Sequence, residues 1–178
     1  MVRGIVLAAL VAALGGTSGG CSLLLDFSDS AIPKDASIDA PDAPYTADEC
    51  TYKEPNDTFA TAAPIVVSDT GPAAICAPMG GVDDHDFYKL NIPTGITSVT
   101  FSINFNQAIG DLDLRLYDSG DNMIAQSRGF TGTETITCPS ASPPCPALVA
   151  GPYVFEVFPA LAGGVNTYNI ALAMTPMP

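Results

Sequence analysis

The chain has 178 residues, 47% of them hydrophobic, with no Trp, a single His and a formal net charge of −13. Nineteen acidic residues against six basic ones disfavour nucleic acid and anionic lipid as partners, because an acidic surface repels polyanions. The same charge is compatible with cations, basic surfaces or a self-repelling exterior, and by itself does not choose among them.

The N-terminus reads as a targeting signal. Met1-Val2-Arg3 is a short positive start, Ile5 to Leu14 is apolar, and Gly15 to Gly20 is small and flexible. The apolar run is shorter than the roughly 20 residues of a membrane-spanning helix. Ser18-Gly19-Gly20-Cys21 resembles a bacterial lipobox, with Ser18 where Leu is usual. Residues 1–20 are therefore expected to be a lipoprotein signal peptide, and Cys21 the lipidated residue that anchors the chain to a membrane. Ser22 stands where an inner-membrane retention signal carries Asp, so the expected location is the outer membrane of an exported protein. Residues 21–48 are expected to form an acidic Pro/Ala/Asp-rich linker, as in Asp39-Ala40-Pro41-Asp42-Ala43-Pro44. Recurrent Pro and like charges keep such a segment extended.

Residues 49–178 change character. Phe87, Lys89 and Asn91 alternate with Tyr88, Leu90 and Ile92. Val99, Phe101, Ile103 and Phe105 alternate with polar residues, and Leu112, Leu114 and Leu116 share one face of the next run. Further strands are predicted over 133–138, 153–158 and 167–174, and a turn over 58–63. Period-two alternation means one buried and one wet face per strand. Pro93-Thr94-Gly95, Asp118 to Asn122, Gly129 to Gly132 and Ala162-Gly163-Gly164 supply the turns. The pattern predicts an all-β, single antiparallel β-sandwich of jelly-roll-like form.

Cys50, Cys76, Cys138 and Cys145 suggest two disulfides in an exported chain, for which the sequence allows three pairings. Pro139, Pro143, Pro144 and Pro146 constrain the interval around Cys138 and Cys145, which favours Cys138–Cys145 and leaves Cys50–Cys76. Zinc is disfavoured, because no Cys-x-x-Cys pair occurs and His85 is remote from the cysteines in sequence.

Three segments in order carry a family likeness: Lys53-Glu54-Pro55-Asn56-Asp57, then Asp83-Asp84-His85-Asp86-Phe87-Tyr88, then Asp111-Leu112-Asp113-Leu114 with Tyr117-Asp118. Gly151-Pro152-Tyr153-Val154 and Tyr168-Asn169-Ile170 follow at matching places. Together they resemble the bacterial pre-peptidase C-terminal domain over about 52–173. The resemblance implies a non-catalytic β-sandwich. It also implies calcium, which some relatives, the collagen-binding domains of clostridial collagenases, hold between the first two segments. The expected ligand set here is Glu54, Asn56, Asp57, Asp83, Asp84 and Asp86. Tyr52 replaces a further Glu of those relatives. Calcium suits this chemistry, since it takes six to eight oxygens from carboxylates and carbonyls.

The other polar groups point to no reaction. Asp111, Asp113 and Arg115 are expected to form a solvated strand face with a local ion pair between Asp113 and Arg115, and His85 to be a surface-loop histidine. Beyond the signal peptide no Gly-x-Ser-x-Gly pattern occurs, and no phosphate-loop pattern occurs anywhere in the sequence. The expected protein is not an enzyme. It is a monomeric envelope lipoprotein binding a protein or polysaccharide; the alternative is a structural or chaperone-like accessory to a separate secreted peptidase or envelope enzyme.

Overall fold

The computed structural model describes residues 45–78 and 82–178. The signal peptide, Cys21 and the linker up to residue 44 lie outside the described residues.

Eleven strands follow two short 3₁₀ turns at Glu49–Thr51 and Phe59–Thr61. In chain order they are β1 (Ala63–Pro64), β2 (Ala73–Ile75), β3 (Asp86–Ile92), β4 (Ile96–Phe105), β5 (Leu112–Tyr117) and β6 (Met123–Ser127). Then come β7 (Thr133–Cys138), β8 (Ser140–Ala141), β9 (Pro144–Cys145), β10 (Gly151–Pro159) and β11 (Asn166–Pro176). One sheet has the order β1-β3-β10-β5-β6, the other β2-β11-β4-β7, and β8-β9 is a small hairpin. All pairings are antiparallel except that of β1 with β3. The expected β-sandwich is what the chain forms.

The core lies between the sheets. Tyr88, Leu90 and Ile92 of β3, Leu112, Leu114 and Leu116 of β5, and Tyr153, Phe155 and Val157 of β10 face Val99, Phe101 and Ile103 of β4, Ile136 of β7, and Tyr168, Ile170 and Leu172 of β11. Phe101 and Phe155 stack across the interface with centroids 4.3 Å apart. Each fully buried large aliphatic or Phe side chain stabilises the fold by about 1.5–3 kcal/mol. β10 departs from alternation. It is central in its sheet, and every residue from Tyr153 to Pro159 is buried, so its outward Val154, Glu156 and Phe158 are covered too.

The two sheets carry different outer surfaces. On β4, β7 and β11 the outward positions are Ser, Thr, Asn and Ala. Their hydroxyls bond across the strands, as in Thr100–Thr137 at 3.1 Å and Ser102–Thr135 at 2.9 Å. The outer face of the five-stranded sheet is aromatic and charged instead.

Both disulfides have the expected pairing. Cys50–Cys76 joins the first 3₁₀ turn to the end of β2, and Cys138–Cys145 joins β7 to β9. Ala77 N donates to the Tyr45 hydroxyl at 3.0 Å, and Cys50 N to Thr46 O at 3.1 Å.

Candidate metal centre

The segment Glu54-Pro55-Asn56-Asp57 is held against the start of β3, because Phe87 N donates to Asn56 O at 2.9 Å. This brings Glu54, Asp84 and Asp86 together, each offering a carboxylate oxygen within 4.8 Å of the others. Period two along β3 puts Asp86 on the inward face with Tyr88. Asp86 is therefore buried, and its carboxylate accepts from the Tyr168 hydroxyl. Tyr88 and Tyr168 hydroxyls are 2.6 Å apart, so a short chain of phenols from the core orients Asp86. Asp84 accepts from Cys76 N at 2.6 Å, and Glu54 from Asn56 N at 2.8 Å.

Asn56 is fully buried, and neither its Oδ1 nor its Nδ2 has a partner at hydrogen-bond geometry, although its amide lies close enough to Asp86 to help hold that carboxyl down. An unpaired buried amide costs about 1–3 kcal/mol, and a cation or a water at Oδ1 would relieve part of that cost. Burial raises the pKa of Glu54, and neighbouring Asp57 and Asp84 add to the rise against the opposing bond from Asn56 N. Burial likewise raises Asp84, with Asp57 beside it. Asp86 is pushed well above the usual carboxylate range by burial and then by Asp84 and Glu54. Like charges crowded out of water favour protonation unless a cation neutralises them. A hard divalent cation fits the donors: three carboxylates, the Asn56 carbonyl and the nearby, exposed Asp57. Asp83 is placed differently. Its Oδ1 accepts from Gly163 N at 2.9 Å in the β10–β11 connection, so it ties two loops together.

Sequence reasoning missed the orienting tyrosines and one whole network. Glu156 is buried on the outer face of β10 and accepts from His85 Nδ1 at 2.7 Å, the Tyr117 hydroxyl at 2.6 Å and Arg115 at 3.2 Å. Burial alone would raise its pKa, but these three donors together outweigh it and hold the carboxyl below its usual range. Arg115 was expected to pair with Asp113; it pairs with Glu156, its neighbour in the strand register. Asp113 is buried rather than solvated and pairs with Arg128 at 2.8 Å. His85 is half-buried and tied to Glu156, not free in a loop. The only advance signal was a lone Glu within the apolar run Tyr153 to Phe158.

No family model matches this chain, and no curated protein matches it in sequence. Solved structures similar to part of the chain include a carbohydrate-binding module in complex with β-1,4-galactotriose (14% identity, 51% of this chain and 62% of that one, TM-score 0.31). Another is a carbohydrate-binding module of a Cellvibrio mixtus lichenase in complex with cellotriose (21% identity, 61% and 88%, TM-score 0.31). The fold is also similar to the pre-peptidase C-terminal domain of a collagenase from Bacillus anthracis, the family whose motifs the sequence resembles (19% identity, 63% and 94%, TM-score 0.48).

Proposed function

We propose that this protein is a non-catalytic binding module, exported and held at the outer membrane through lipid on Cys21, whose sandwich is stabilised by calcium. The observation that carries the calcium reading is the convergence of Glu54, Asp84 and Asp86 within 4.8 Å beside the orphaned amide of buried Asn56. An ion there cross-links the opening segment to β3. Cys50–Cys76 already ties that segment to β2, and Cys76 N holds Asp84, so the disulfide and the ion reinforce the same corner. The role of the ion is structural: it neutralises carboxylates that burial would otherwise protonate, and it fixes loops that present a ligand surface. The ligand is a protein or polysaccharide of the envelope or its surroundings.

The test is thermal unfolding of the full chain, stripped with chelator and titrated with calcium or, separately, magnesium. A ligand that binds only the folded state at 100 times its Kd adds about 2.7 kcal/mol, which raises the Tm by several degrees, at about 2–4 °C per kcal/mol for a chain of this size. A saturable rise is expected with calcium, a smaller one with magnesium, and none with calcium in D86N. An identical calcium response in wild type and D86N removes the assignment.

A further inference from the structure

The chain has six Lys and Arg residues. Arg3 and Lys34 lie outside the described residues; the other four, Lys53, Lys89, Arg115 and Arg128, all belong to the five-stranded sheet or its margins. Lys53 sits at the β1 edge, where its Nζ donates to Pro64 O at 2.9 Å and pairs with Asp69. The strands of the opposite sheet hold no basic residue, and their one charged residue, Glu134, is buried.

On the outer face of the five-stranded sheet, Arg115 and Arg128 flank one ring. Their guanidinium carbons lie 3.8 Å and 5.9 Å from the Phe158 centroid. Two cations so close repel, and two buried carboxylates oppose that repulsion: Glu156 under Arg115 and Asp113 under Arg128. Arg128 nevertheless remains 51% exposed and Arg115 29%. Lys89, one residue pair along β3 from Phe87, is exposed and forms no ion pair among the described residues. Half-buried rings border these cations. Phe59 meets Tyr117 edge-on at 6.1 Å, and Tyr117 lies 6.4 Å from Phe87.

We propose that this face binds an anionic polysaccharide, its carboxylate or sulfate groups taken by Arg115, Arg128 and Lys89 and its sugar rings set against Phe87, Tyr117 and Phe59. Three of the four described cations share this face of an otherwise acidic molecule, which gives it a local positive excess, and the guanidinium N–H groups not engaged by Glu156 and Asp113 remain to donate to an oxyanion. The choice of a sugar polymer over an acidic peptide comes from the surface: a sheet face with partly open rings interleaved among the cations, rather than a strand edge onto which a peptide would add. The proposal rests on the reading of the protein as a binding module and names its ligand class.

The experiment is equilibrium binding of the full chain to polygalacturonate, a sulfated glucan, neutral dextran and poly-L-glutamate, at several salt concentrations, with chelator and with calcium. Binding to the two anionic glycans that weakens with salt is expected, with none to dextran. K89Q is expected to weaken it severalfold and leave the Tm unchanged. R128Q/D113N, which removes a cation together with its buried partner, is expected to weaken it at least tenfold. No binding to either anionic glycan, equal binding to dextran, preference for poly-L-glutamate, or unchanged affinity in both variants overturns the proposal. Those outcomes leave the calcium assignment standing, because that is read separately from the melting of D86N.

Discussion

Glu156 shows how one buried carboxylate organises a surface. It draws in His85, just before β3, together with Arg115 and Tyr117 of β5, and these in turn set the rings of Phe87 and Phe158. Burial of the Tyr117 phenol, and then the charge of Glu156 beside it, push its pKa up to about 12. Replacing Glu156 by Gln keeps the shape and removes the charge. We expect E156Q to unfold about 2 kcal/mol more easily, the scale of lost hydrogen bonds to a charged group. We also expect the Tyr117 phenol to ionise at lower pH. Denaturant melts and ultraviolet titration of the tyrosines measure the two effects. A Tyr117 titration that does not move would show that burial alone sets it.

At the scale of elements, the two disulfides differ in what they close. Cys50–Cys76 spans 26 residues and Cys138–Cys145 spans 7. Loop entropy alone assigns about 3.6 kcal/mol to the first and about 2.5 kcal/mol to the second. C50A/C76A should therefore cost more in urea unfolding than C138A/C145A. It should also weaken calcium, because it frees the segment carrying Glu54 and Asn56 while the other variant leaves the metal centre intact. Equal calcium affinity in the two variants would separate the disulfide from the site. The long strands β3, β4, β5 and β11 were legible in the sequence because apolar and polar residues alternate along each. Five elements were not legible: β1, β2, β8 and β9 are two or three residues long, and β6, with the irregular pattern Met123-Ile124-Ala125-Gln126-Ser127, lies at a sheet edge. The acidic segments were legible as groups with a common chemistry. Their partners were not, since Glu156 meets His85 across 71 residues and Asp86 meets Tyr168 across 82, and periodicity fixes a face but never a partner.

For the whole molecule, the acidic corner makes stability depend on pH and calcium together. Burial, chiefly, raises the carboxyl pKa values of Glu54, Asp84 and Asp86 in the folded chain. The folded state then binds more protons than the unfolded state above the ordinary carboxylate values of 3.8 and 4.5. Without calcium, their contribution therefore falls as pH rises from that range through the raised folded values. Glu156 and Asp69 are lowered and act with the opposite sign, their stabilisation being lost as pH falls. The total curve mixes the two groups, and the difference between calcium and chelator isolates the acidic corner. Calcium competes with protons for the same oxygens. We expect the melting curves with calcium and with chelator to coincide near pH 4 and to diverge steadily as pH rises, with the calcium form the more stable. E54Q/D86N should remove the divergence at every pH. A calcium effect of constant size from pH 4 to pH 8 would mean that the ion binds groups already ionised, on the open surface and away from Glu54, Asp84 and Asp86.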